Sequence, residues 1–172
     1  MKLWHKDKAS LRQVEEFTVG NDREMDLYLA AFDVLGSLAH VQMLQTIGLI
    51  TKNELPRLQT ELKKIYTEIE EGNFNLEDDV EDIHSQIELL LTQRLGDVGK
   101  RIHSARSRND QVLLDIKLFL RNEIEQLVKS IRPFFDLLQS QSEKYQEYLL
   151  PGYTHLQLAM PSSFGLWFGA YA

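Results

Sequence analysis

QVLLDIKLFLRNEIEQLVKSIRPFFDLLQSQSEKYQEY, residues 111–148, repeats apolar side chains at helical spacing for longer than any other part of the chain. Val112, Ile116, Phe119, Ile124, Leu127 and Ile131 recur near a 3.6-residue period. Pro133 should kink the helix rather than end it, because Phe134, Phe135, Leu137 and Leu138 continue the apolar supply. At about 1.5 Å per residue such a helix runs roughly 50–60 Å. A small monomer cannot bury that length, so the segment implies a long-helix bundle or an oligomer.

Shorter helices precede it. Residues 33–48 read as a helix from the spacing of Leu35, Leu38, Val41, Leu44 and Ile47, with Gly48 past its end. Thr51 and Glu54 fit a capping box opening a second helix striped by Leu55, Leu58, Leu62, Ile65 and Ile69 and closed by Gly72. The acidic run Glu77 to Asp82 should lie at the N-terminus of a third, striped by Ile83, Ile87, Leu90, Leu91 and Leu95 and broken by Gly96 and Gly99. After Pro151-Gly152 and Pro161, residues 162–172 look like a helix just starting, its small residues suited to close packing against another helix. We find no internal repeat and no strand with period-two alternation. The expected fold class is all-α: a small N-terminal helical domain over residues 1–107, then the incomplete start of a central helical bundle over 108–172. The apolar end at Ala172 reads as a cut within a longer chain.

The composition, 43% hydrophobic and 26% charged in 172 residues, is that of a water-soluble globular protein. A formal net charge of −7 argues against nucleic-acid binding. The absence of cysteine removes disulfides and thiolate metal sites and fits a cytoplasmic location. Met1 to Lys8 has no apolar core of a signal peptide, and the apolar run Phe164 to Ala172 is about half a bilayer span, so no membrane partner is expected.

Two polar islands carry the chemistry. Ser104-Ala105-Arg106-Ser107-Arg108-Asn109-Asp110-Gln111 follows Lys100, Arg101 and His103 and gathers guanidiniums, hydroxyls and an amide where the long helix begins. Arginine forks and free helix-start amides suit a small anion. The same residues also suit a solvated loop, with Asn109 or Asp110 as N-cap. Pro151-Gly152-Tyr153-Thr154-His155-Leu156-Gln157 sets an imidazole among donors and acceptors; it is either a general acid or base or an ordinary surface histidine. His5, His84 and His103 make no metal-ligand spacing with His155.

With Gly36-Ser37-Leu38-Ala39-His40 and Glu81-Asp82-Ile83-His84, these islands form four ordered motifs. Together they resemble the argininosuccinate lyases of the fumarase/aspartase superfamily, whose corresponding pieces are G-S-L-A-H, E-D-I-H, H-T-G-R-S-R-N-D-Q-V and P-G-Y-T-H-L-Q. The match spans essentially the whole chain. It implies cleavage of argininosuccinate to arginine and fumarate, without metal or cofactor, by a cytoplasmic homotetramer. By the same resemblance Arg108 and Asn109 contact the substrate's carboxylates, and Thr154 helps fix the same portion. Gln157, Ser104 and Asp82 complete the substrate-binding set, and His155 acts in proton transfer or orients the group that does.

The departures are specific. Ser104-Ala105 stands where Thr-Gly is usual, and Leu158 and Met160 replace an Arg and a Gln. Residues 17–26 lack the F-N-A-S motif, so its substrate-binding serine is not carried over to any position here. The family's loop G-S-S-x-M-P-x-K-x-N, bearing the catalytic serine, would lie beyond residue 172. Each family active site draws on three subunits, so the two islands would serve different sites, and residues 1–172 alone should not turn over substrate. The alternatives are a non-catalytic protein on the same fold, in the manner of the lens crystallins that resemble this family, and a free-standing helical anion-binding module.

Overall fold

The computed structural model describes residue 17, residues 20–77 and residues 80–172. The readings placed on Met1 to Lys8, His5, Asp78 and Asp79 lie outside the described residues. Two compact units divide the chain, Met1–Leu120 and Arg121–Ala172.

In the first unit the order is α1 (Asp22–Asp26), a 3-10 turn (Leu27–Leu29), α2 (Ala30–Thr46), α3 (Leu55–Glu70), α4 (Ile83–Leu95), α5 (Asp97–Lys100), a second 3-10 turn (Arg101–His103) and the beginning of α6 (Arg108–Lys144). The expected stripes of α3 and α4 supply core residues, but that of α2 does so fully only at Val41 and Leu44: Leu35 and Ile47 are exposed, and Val34 is buried instead. Val34, Val41 and Leu44 of α2, Leu58, Leu62 and Ile65 of α3, and Ile83, Ile87 and Leu91 of α4 are buried together with Ile50 and Ile102. The helix starts are specified locally. Thr51 N donates to Glu54 Oε2 at 2.9 Å and Glu54 N returns a bond to Thr51 Oγ1 at 3.3 Å, the expected capping box. Asp82 caps α4, its Oδ1 accepting from Ser85 N at 2.7 Å. Gly48, Gly72 and Gly96 follow their helices with φ of +81°, +73° and +66°.

The cap of α6 differs from the expected Asn109 or Asp110. Ser107 and Asp110 form a second capping box: Ser107 N donates to Asp110 Oδ2 at 3.0 Å, and Asp110 N donates to Ser107 Oγ at 3.3 Å. The helix therefore begins at Arg108 and runs 37 residues, continuing through Pro133 and ending at Lys144 rather than Tyr148. Its first turns belong to the first unit. Gln111 and Asp115 are buried there, and the Phe119 ring meets Phe32 edge-on at 5.9 Å between centroids.

The second unit holds the rest of α6, an antiparallel hairpin of β1 (Leu149–Thr154) and β2 (Gln157–Ser163), and α7 (Phe164–Gly169). The chain is mostly helical, as expected, but this hairpin was not foreseen. Pro151 pairs with Pro161, and a register break after Gly152 leaves Ala159 bulged. Most residues of both strands are exposed and only Ser163 is buried, so no buried face imposes alternation. The two-residue turn is His155-Leu156, with φ of +48° and +64°, and carries no Asn-Gly signature. The expected close helix contact is present at Gly165, where an added Cβ would lie 2.7 Å from Ser142 O and 2.5 Å from Gln146 Cα.

The run Asp22–Thr46 contains an 18-residue window of mean hydropathy 1.4 and is long and apolar enough to cross a membrane by length and composition. Asp33 and His40 interrupt it, which is why Phe164–Ala172 looks the more apolar stretch by eye. In this structure Ala30, Val34, Val41 and Leu44 from that run line the core.

Gly99 tests the packing of α5. A Cβ there would overlap the Leu91 carbonyl and come within 2.6 Å of Thr92 N. Gly99→Ala should destabilise the protein by about 1–3 kcal/mol, read as a lowered midpoint in chemical denaturation; an unchanged midpoint contradicts the packing described.

Candidate active site at the start of the long helix

The first island is held from α2, and the Gly36-Ser37-Leu38-Ala39-His40 motif supplies the contacts. A Cβ on Gly36 would stand 2.9 Å from Leu114 Cδ2, so glycine allows α6 to approach closely. Ser37 Oγ accepts from both terminal nitrogens of Arg106 at 3.2 Å. His40 Nε2 donates to the Ser104 carbonyl at 2.9 Å, since a carbonyl only accepts. Between these ties Ala105 adopts φ +59°, a left-handed conformation that costs a non-glycine residue about 1–2 kcal/mol. This is the position where the family resemblance has glycine.

The basic cluster resolves into individual partnerships. Lys100 bonds Asp97 and Arg101 bonds Glu54, each at 2.9 Å, while His103 lies 3.9 Å from Glu88. Arg106 turns inward to Ser37. The Arg108 guanidinium is held at three points. Its Nε lies 3.5 Å from Asp82 Oδ2, Nη2 donates to Ser85 Oγ at 3.1 Å, and Nη1 donates to Gln111 Oε1 at 3.3 Å. An arginine has five N–H donors, so these contacts orient the group and leave two N–H for a ligand. Asn109, exposed beside it, sits in the first turn, where helix amides lack internal partners. The structure thus brings Asp82 and Arg108 together, with Ser104 and Asn109 on the same island. Of these four residues only Asp82 lines the neighbouring cleft of 270 Å³, together with Asp22, Asp26, Glu81, His84, Met25 and Val112. Burial raises the Asp26 carboxyl above the usual aspartate range.

Thr154, His155 and Gln157 belong to the second unit. Thr154 pairs with Gln157 across the hairpin end, and His155 occupies the turn itself; all three are exposed.

Behind Arg108 lies a polar cluster that the motif reading did not assign. Asp33, His84 and Asp115 are buried, with His84 Nδ1 3.4 Å from Asp33 Oδ1 and 3.6 Å from Asp115 Oδ2. Gln111 Nε2 donates to Asp33 Oδ1 at 2.5 Å. The available signal was polar residues at core-facing helical positions: Asp33 among Ala30, Val34 and Ser37, and Asp115 one turn after Gln111. By donor type the trio could hold a metal ion, its ligand atoms lying within 4.8 Å of one another. However, the Gln111 amide already occupies Asp33 Oδ1, and the Arg106 charge acts on Asp115. Asp33 Oδ2, His84 Nδ1 and both carboxylate oxygens of Asp115 are buried without a hydrogen-bond partner among the described residues.

Burial, reinforced by the Asp33 charge and opposed by His84 and Arg106, pushes the Asp115 carboxyl up to about 7. Burial lowers the affinity of His84 for its proton, but the Asp33 and Asp82 carboxylates outweigh it and raise the imidazole. Both groups hold a proton more tightly folded than unfolded. Their favourable contribution is complete at acid pH and fades as pH rises, for Asp115 from about 4 through 7. Asp115→Asn should flatten the fall in melting temperature between pH 5 and 8; an unaltered pH profile contradicts this assignment.

Comparison with known proteins supplies the family. A family model described as "Lyase" matches residues 4–172. The chain is 63% identical over 171 residues to the argininosuccinate lyase of Bacteroides fragilis, covering 99% of this chain and 38% of that protein. Identity and coverage are the same with the argininosuccinate lyase of Bacteroides thetaiotaomicron. Against that of Desulfitobacterium hafniense, identity is 44% over 178 residues, covering 100% of this chain and 37% of that protein. The chain spans less than two-fifths of the length of these relatives. A matching model over nearly every residue establishes that the chain belongs to the lyase family.

Proposed function

We propose that this chain is the N-terminal part of an argininosuccinate lyase, which eliminates arginine from argininosuccinate to give fumarate. The observation that carries the proposal is Arg108: an arginine clamped by Asp82, Ser85 and Gln111 at a helix start, with two N–H groups left for a carboxylate. The high identity to proteins of that name supports the substrate.

In this reaction a base removes the proton on the carbon next to one succinyl carboxylate. That carboxylate becomes aci-carboxylate-like as negative charge builds, the C–N bond then breaks, and a proton goes to the departing guanidino nitrogen. Positively charged donors fixed before the reaction stabilise the developing charge without reorganising. Arg108 instead binds a succinyl carboxylate that is charged before and throughout the reaction, with Asn109 and Ser104 adding neutral donors on the same island. Thr154 and Gln157 hold the succinyl portion from the hairpin, and His155 takes part in proton transfer or orients the group that does. Asp82 acts through Arg108 by fixing its Nε edge.

The same reading makes the complete protein a cytoplasmic homotetramer without metal or cofactor, acting on a small molecule rather than on nucleic acid or membrane. Its domain boundary falls between residues 107 and 108. The two islands contribute to different active sites of the assembly, with the remaining catalytic groups supplied by chain beyond residue 172.

Arg108→Lys keeps the charge but loses the planar fork. In the complete polypeptide it should lower kcat/KM for argininosuccinate by about 10–100-fold, the loss expected for a charged hydrogen bond, with an unchanged melting temperature. Fumarate release monitored by ultraviolet absorbance provides the measurement, and wild-type rates in the variant contradict the role given to Arg108.

A further inference from the structure

Gln111 touches both the buried cluster and the candidate substrate-binding arginine, and the chemistry of its two neighbours leaves it a single orientation. On one side stands Asp33 Oδ1, 2.5 Å from Gln111 Nε2. As a carboxylate it only accepts hydrogen bonds, so the amide must turn its NH2 toward it. On the other side stands Arg108 Nη1, 3.3 Å from Gln111 Oε1, which only donates and so needs the amide carbonyl. Flipping the amide would set oxygen against oxygen and N–H against N–H. No shorter amide spans the gap, and a carboxylate at this position would face Asp33 with like charge. The anchor is rigid: Asp33 is fully buried and Gln111 nearly so, and Asp33 lies against His84. Ser85 Oγ and Asp82 Oδ2 hold two other nitrogens of the same guanidinium, one from the first turn of α4 and one from its N-cap.

We propose that Gln111 is a positioning residue for Arg108, an amide whose polarity is set by buried Asp33 and which aims the guanidinium at the substrate carboxylate. The inference rests on the lyase reading above and adds a group that need not touch substrate. The carboxylate is bound before and during the reaction. Losing the aim therefore weakens binding in the ground state as well as the transition state, and the effect appears mainly in KM.

The test uses the complete polypeptide carrying Gln111→Met, which keeps the length and bulk of the side chain without either hydrogen bond, and Gln111→Asn, which retains an amide for Asp33 but falls a methylene short of Arg108. KM for argininosuccinate and the dissociation constant for fumarate should both rise about 10-fold, the scale of one hydrogen bond to a charged group, while kcat per folded enzyme changes less than about 3-fold. A purely structural role would instead lower the folded fraction and leave KM and fumarate affinity at wild-type values, and that result overturns the proposal. Should the Met variant fail to fold, the Asn variant decides by the same two constants. A wild-type protein that releases no fumarate from argininosuccinate overturns the lyase reading and this inference with it; an active wild type with unmoved constants in the variants overturns the inference alone.

Discussion

A single buried hydrogen bond, from the Gln111 amide to the Asp33 carboxylate, ties the start of α6 to α2 inside the first unit. Burying Asp33 without partners would cost far more than an exposed aspartate, so its surroundings must supply donors and compensating charge. Gln111, His84 and the field of Arg106 do so. Each of these comes from a different part of the chain: α4 brings His84, the loop brings Arg106, and α6 brings Gln111 and Asp115. The contacts around this one buried carboxylate join α2, α4 and α6, and the loop 104–107 is held in a strained conformation at Ala105 by ties on both sides.

The motifs have a physical meaning in this arrangement. Gly36, Ser37 and His40 all serve the 104–115 segment: one by absence of a side chain, one by accepting from Arg106, one by donating to Ser104. Asp82 and Ser85 serve Arg108, and His84 serves the buried cluster. Much of what looks like a basic anion trap in the sequence is internal bonding. Lys100, Arg101 and Arg106 each have a partner within the first unit.

Helices were legible because their signals are local. Apolar stripes in α3 and α4, the Thr51–Glu54 box and the glycines at 48, 72 and 96 all act within a turn or two. The hairpin was not, since its strands bury no face and its left-handed turn residues are His155 and Leu156, which give no turn signature. The cap of α6 was misplaced because Asn109 and Asp110 are good caps by type, whereas the reciprocal Ser107–Asp110 pairing prevails. Of the site, Arg108 and Asp82 were legible as motif residues, but their mutual contact was not. The cluster of Asp33, His84 and Asp115 joins residues far apart in sequence, and only three-dimensional packing brings them together.

The account stands or falls on the Gln111 amide being locked between an acceptor and a donor. Hydrogen exchange of the Gln111 side-chain NH2, followed by NMR in the complete protein with selectively labelled glutamine, reads this directly. The account predicts protons protected well beyond those of exposed glutamines and a resonance that shifts when fumarate is added. Exchange at the rate of a solvent-exposed amide, with no response to fumarate, would contradict it.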